Sequence, residues 1–425
     1  MTNRVDIYKV FAQCLFIHFI LVSSMMKMLY FILLVLIHEV STSESENFFY
    51  SNNITEATNK FVAACSNATG SIEYFNHPMQ GVNGELLQAT LCVQGNPQAR
   101  SIIFTISGTH GIEGYAGSMA QISLLRHMSS SILTNNDTRI INLHMINPYG
   151  ASFISKENEQ NADQLKNVAE YYTLNFDNPI LQDLIDGIDL PNLWNQTVLQ
   201  QAFQVFARLI AEHGEQNVNK ALKTGQGKRP QGVAYFGPSK SWSSTIIEQV
   251  INKYLKDVDH ILFIDWHTAV GDYGHWTYMP IDKESAVAFQ RWIPDAPTES
   301  YDVVVPTNGL LPYSSLKTIS GAKRVIRVFW EAGTYPTTPQ TNAMFFLRLY
   351  CRFYSNAADP FCQQVIADTK EYFYPQQPDW KVQTYTKIND FLPRVLSNFI
   401  LDVNNGITRL EFNLILILII LVLLF

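Results

Sequence analysis

The sequence predicts an α/β fold, an open sheet whose functional groups gather at the carboxyl ends of its strands. Three observations predict it. Three apolar runs rich in Ile, Val and Phe each stop on a residue able to bind a metal or move a proton: RSIIFTIS before His110, ILFID before His267, and VIRVFW before Glu331. Such runs read as buried strands. Glycines follow the first and last runs, at Gly108, Gly111 and Gly333, allowing sharp turns. Helical patterns lie between the runs, and 425 residues with 47% hydrophobic content suffice for one large α/β domain or two ordinary ones.

Residues 1–43 read as a signal peptide or signal anchor. The stretch 10–37 is mostly apolar, broken by Gln13, His18, Ser23, Ser24 and Lys27. From Met26, MKMLYFILLVLIHEVSTS has a short basic start, an apolar core and a polar exit. A catalytic domain is expected over 44–398. Asn53, Asn67, Asn136 and Asn195 each open an acceptor triplet for glycosylation. Of five cysteines, Cys14 falls in the leader. The other four suggest two disulfides in an exported chain, with three pairings possible. Cys65–Cys92 with Cys351–Cys362 closes the shortest loops.

The first chemical motif is SGTHGIEGYAG, 107–117, which sets His110 three residues before Glu113 and opens a helix over Tyr115–Leu125. Helical patterns recur at Leu199–His213, with Phe203, Phe206, Leu209 and Ile210 on a core-facing stripe. The 238–255 segment repeats the pattern, with Ser241 as cap and Ile246, Ile247, Val250, Ile251 and Tyr254 as one face. Between these helices, LKTGQGKRPQG at 222–232 is a Gly- and Lys-rich loop without a phosphate-binding pattern. IDWHT, 264–268, places Asp265 and His267 two apart, on one face of a strand, so the aspartate can orient the imidazole. The plainer reading of His267 is a hydrogen-bonded core histidine. His110, Glu113 and His267 together suit a catalytic Zn²⁺ site, with three protein ligands and a fourth position for water. Glu331 can take a proton from that water and pass it to a leaving amine.

The motifs SGTHGIEGYAG, NPYGASF at 147–153, IDWHT and EAGTY resemble a branch of the zinc carboxypeptidase superfamily, which also holds aspartoacylase and succinylglutamate desuccinylase. The resemblance spans roughly residues 55–395. It implies a three-layer α/β/α fold with a mixed, largely parallel sheet. It also implies one zinc on His110, Glu113 and His267, with Glu331 as general base. One stretch departs from the pattern. In SKENEQNADQLKN, 155–167, Asn158, Glu159, Asn161 and Asp163 match, but Lys156 stands where an arginine is expected and Leu165-Lys166 where Asn-Arg is expected. The corresponding arginines of carboxypeptidases polarise the scissile carbonyl and grip a terminal carboxylate. A lysine keeps the charge and loses the planar fork. Lys156, Lys166 and Asn158 are therefore the expected substrate-binding residues of an altered pocket.

A net charge of −7, from 37 acidic and 30 basic residues, argues against a nucleic-acid partner. The charge-free end NLILILIILVLLF, preceded by Asn404-Asn405-Gly406, makes 399–425 an anchor signal of the GPI kind or a tail anchor. The combined expectation is a secreted or surface-attached zinc hydrolase of peptide or amide bonds. An N-acyl amino-acid deacylase with the same metal chemistry is the first alternative. A non-catalytic surface binding protein that keeps the fold is the second.

Overall fold

A computed structural model describes residues 48–134, 136–167, 177–188, 195–299, 316–356 and 358–424, with backbone alone at 195–196, 317–318, 339–340 and 405–424. The expected leader at 1–43, the side chain of Asn195 and the side chains of the apolar tail lie outside these residues. Among the described residues, no helix is long and apolar enough to cross a membrane.

Seven strands form one sheet: β1 Ser71–Gln80, β2 Leu86–Gly95, β3 Ser101–Ser107, β4 Thr138–His144, β5 His260–Thr268, β6 Trp276–Pro280 and β7 Arg324–Ala332. Their spatial order is β1-β2-β4-β3-β5-β7-β6. The four central strands, β4, β3, β5 and β7, run parallel. Antiparallel pairings add β2 and β1 at one edge and β6 at the other. The sheet is thus mixed with a parallel centre. All seven residues of β3 are buried, as a parallel strand covered on both faces requires.

The helices are α1 Ile54–Asn67, α2 Gly114–Ser123, α3 Pro148–Ser152, α4 Pro179–Asp186, α5 Asn195–His213, α6 Glu215–Thr224, α7 Trp242–Tyr254, α8 Lys283–Trp292, α9 Pro339–Phe353, α10 Pro360–Phe373 and α11 Pro378–Leu424, with further short helical segments at Leu124–Met128, Ser129–Ile132 and Leu316–Ser320. Alternate strand residues feed two cores. Ile103, Ile140, Leu262, Ile264, Ile326 and Val328 pack with α1, α2, α8 and the first part of α11. Ile102, Phe104, Ile141, Phe263 and Val325 pack with α7 on the opposite face. The period of two along a strand thereby builds three layers, helix, sheet and helix. The expected face of α7 is the buried one, and Ser241 caps the helix, accepting from the Ser244 N–H at 3.1 Å. Each of its fully buried Ile and Val side chains contributes about 1.5–3 kcal/mol relative to exposure.

A third apolar cluster joins α4, α5, α6, α9 and α10. The Cys351–Cys362 disulfide ties α9 to α10, and Cys65–Cys92 ties α1 to β2. Both pairings are the expected ones.

Candidate metal centre

The site lies where β3 and β5 adjoin. The chain leaves β3 toward β4 on one side, while β5 and β7 lie on the other, so a crevice opens at the carboxyl ends of the strands. Gly108 turns the chain out of β3 at φ +76°, a left-handed conformation that glycine adopts freely. Gly111 then passes so close to α3 that a Cβ would lie 2.2 Å from the Gly150 carbonyl carbon. Backbone bonds from Gly111 N to Lys156 O (3.2 Å) and from Ile112 N to Ser155 O (3.0 Å) fasten the turn to the segment after NPYG. The NPYG motif is therefore the floor on which His110 and Glu113 rest. From the other side, β5 pairs with β7 so that His267 stands directly opposite Glu331.

His110, Glu113 and His267 converge, with one ligand atom from each lying within 4.8 Å of the others. His110 Nδ1 is 2.8 Å from Glu113 Oε1, and His267 Nδ1 is 2.9 Å from Glu113 Oε2. The outward nitrogens meet carboxylates. His267 Nε2 lies 3.0 Å from Asp265, and His110 Nε2 lies 3.4 Å from Asp163. Asp265 is fully buried and also accepts from Thr109 Oγ1 at 2.9 Å. The Thr268 N–H donates to Glu113 Oε2 at 3.0 Å. Ala269, the next residue, is held at φ +89°, a strained position for a residue with a side chain.

This donor set fits a divalent cation. With the Nε2 nitrogens protonated and facing the aspartates, each Nδ1 turns a lone pair toward a Glu113 oxygen. Two such lone-pair contacts near 2.8 Å repel unless a proton or a cation lies between them. Two imidazoles and a carboxylate with an open side suit Zn²⁺.

The local charges agree. Burial opposes ionisation of Glu113, but His110 and His267 outweigh it and hold the carboxyl below its usual range. Burial likewise opposes a charged His267, yet Asp265 and Glu113 raise it well above its ordinary value. Glu331 behaves oppositely. Burial, reinforced by Glu113 and opposed by His267, pushes it up to about 8, and its Oε2 has no hydrogen-bond partner among the described residues.

Asp163, to which the sequence pattern assigns no role, organises half of the site. It anchors His110, and it pairs with Lys166 and, at 3.5 Å, with Lys156. Burial opposes its charge, but Lys166 and Lys156 hold the carboxyl well below its usual range. Lys166 is only 6% exposed at its side chain. It is committed to Asp163 rather than turned toward a substrate. Lys156 is more accessible and lies near Glu113. Asn158 does not reach the cluster. Its Oδ1 accepts from the N–H groups of Gln160 and Ala162, and its amide donates to Gln164. It shapes the 158–164 turn, as asparagines do when they bond their own backbone. Asn53, Asn67 and Asn136 are exposed, as glycan acceptors must be.

The α/β sheet gathers at its strand ends two histidines and a carboxylate that could hold a metal ion, with the Glu331 carboxylate in register beside them. The chain belongs to the family described as protein of unknown function (DUF2817), whose model matches residues 50–387. No curated protein matches it. Solved structures similar to it include the carboxypeptidase A of Helicoverpa armigera, at 10% identity and a TM-score of 0.44 over 82% of this chain and 75% of that one. A metallo-carboxypeptidase from Burkholderia cenocepacia matches at 11% identity, TM-score 0.34, over 76% and 71% of the two chains. An aspartoacylase family protein from Mesorhizobium loti matches at 13% identity, TM-score 0.33, over 62% and 61%.

Proposed function

We propose that this chain is a zinc-dependent hydrolase of peptide or amide bonds, exported from the cell. The observation that carries the reading is the pair of Nδ1 atoms on opposite oxygens of Glu113, with Glu331 in register beside His267. His110, Glu113 and His267 would hold the ion. A zinc ion there supplies Lewis-acid polarisation of the substrate carbonyl and an acidified water. Glu331 accepts the water's proton and returns it to the amine nitrogen as the C–N bond breaks. Its burial and unpaired Oε2 suit a group that must both take and give a proton near neutrality. Lys156, within electrostatic reach of Glu113, would support the developing oxyanion. The two disulfides and the exposed triplets at Asn53, Asn67 and Asn136 support export. Attachment through residues 399–425 belongs to the same proposal.

The test compares wild type with Glu331→Gln on matched peptides and N-acyl amino acids, after zinc loading. The amide keeps the shape and cannot take the proton. Turnover should fall at least ~10²-fold with zinc content unchanged. Equal turnover removes Glu331 from the reaction. The better substrate series separates a peptidase from a deacylase, and no turnover on either leaves a binding protein.

A further inference from the structure

Resting on the hydrolase reading above, we propose that Thr277 is a positioning residue for Glu331: its hydroxyl holds Oε2 of the carboxylate and leaves the other oxygen to take the water's proton. Strand register places it. Glu331 lies opposite His267 on β5 and opposite Thr277 on β6. The three side chains therefore form one row on one face of the sheet, with Glu331 in the middle. His267 flanks the base on the metal side, and Thr277 flanks it on the other. Opposed residues of an antiparallel pair carry their Cβ atoms about 4.5–5.5 Å apart, which a hydroxyl and a carboxylate can span.

Thr277 is 2% exposed and Glu331 8%. Thr277 Oγ1 and Glu331 Oε2 are both buried, and neither has a hydrogen-bond partner among the described residues. A valine would fill the same place in a strand without burying an unpaired hydroxyl. Each group supplies what the other lacks, since the hydroxyl donates and the carboxylate oxygen accepts.

The turn after β5 closes over both groups. Ala269 N donates to Ala332 O at 3.1 Å, and Ala269 and Gly271 take φ +89° and +100°. The Val270 N–H between them favours the ionised form of Glu331. Gly271 presses on the threonine, where a Cβ would collide with Thr277 Oγ1. Gly333, two residues after Glu331, lies so close to the same turn that a Cβ would collide with the Asp272 carbonyl. Glycine is what lets the chain pass so near the hydroxyl. The ionised base accepts from Thr277 at Oε2. When the other oxygen has taken the water's proton, Oε2 becomes the carbonyl oxygen of the acid and still accepts, while Thr277 keeps its own proton throughout. The hold is stronger on the charged form, which is the form that must be aimed.

Thr277→Val and Thr277→Ser are compared with wild type on the better of the two substrate series, after zinc loading. Valine keeps the volume and removes the donor. Its kcat should fall about 10-fold or more with KM and zinc content unchanged, and Thr277→Ser should stay within about 3-fold of wild type. Adding Thr277→Val to Glu331→Gln should change the residual kcat by less than about 2-fold, because the threonine acts only through the base. A Thr277→Val enzyme with wild-type kcat, a loss shared by Thr277→Ser, or a loss that persists undiminished in the Glu331→Gln background overturns the assignment. A stability cycle in metal-free protein reads the pair without activity. Urea unfolding of Thr277→Val, Glu331→Met and the double variant should show a coupling of about 5-fold in the unfolding equilibrium constant, since the double variant leaves no orphan behind. A coupling near unity overturns the pair. A zinc-loaded wild type that turns over neither series overturns the hydrolase reading, and the positioning role with it, whatever the coupling.

Discussion

Replacing Asp163 with asparagine should destabilise the fold far more than it perturbs the metal. The carboxylate is 2% exposed at its side chain, and Lys166 beside it is 6% exposed. The amide preserves the shape and removes the charge, so Lys166 is left buried without a counter-ion. Breaking such a pair costs about 3–5 kcal/mol. A second route gives the same size. Lys166 can escape by shedding its proton, which from an ordinary pKa near 10.4 costs about 4.6 kcal/mol at pH 7. Because the variant then folds with a neutral lysine and unfolds with a charged one, its stability should rise with pH by about 1.4 kcal/mol per unit above 7. Urea unfolding with the disulfides intact reads the effect, using Asp163→Asn, Lys166→Met and the double variant. The double variant should recover at least about 2 kcal/mol relative to the sum of the singles. A loss below about 1 kcal/mol in Asp163→Asn, or a coupling near zero, refutes the buried pair.

Other expectations follow from the same geometry. Asp265→Asn should weaken zinc binding about 10- to 100-fold, because it loosens the outer nitrogen of His267; unchanged affinity in a chelator competition would contradict that role. In metal-free protein, Glu331 is pushed up to about 8, so it stays protonated in the folded state where the unfolded chain is already ionised. Its share of stability is fully present below the unfolded pKa near 4.5 and is lost as pH rises toward 8, so wild type should lose melting temperature relative to Glu331→Gln across that range, and a constant difference would rule this out. On intact cells, a phosphatidylinositol-specific phospholipase should release the protein if a lipid replaces the terminal tail, whereas survival of an epitope placed after Phe425 would make the tail a retained anchor.

Much of this site was legible because a strand that ends on chemistry leaves a local signature. His110, His267 and Glu331 each close an apolar run, and the i, i+2 spacing of Asp265 and His267 already implied their contact. The two disulfides were legible from loop length alone. Other features depend on distance along the chain. Asp163 meets His110 across 53 residues. Nothing in NPYG announces that Gly150 must admit the backbone of Gly111. Thr277 reads as an ordinary strand threonine until β6 is seen paired beside Glu331. Asn158 shows the converse. Matching a family pattern suggested substrate contact, yet its hydrogen bonds are spent within its own turn. The sheet order was not legible, since edge strands such as β1 are half-exposed and carry weak apolar periodicity.

Metal stoichiometry tests the central claim most directly. Elemental analysis of the purified chain should find about one zinc per chain, removable by a chelator and absent from His110→Ala and His267→Ala proteins that still fold. Equal zinc in wild type and both variants, or a folded wild type that binds none, would contradict the account.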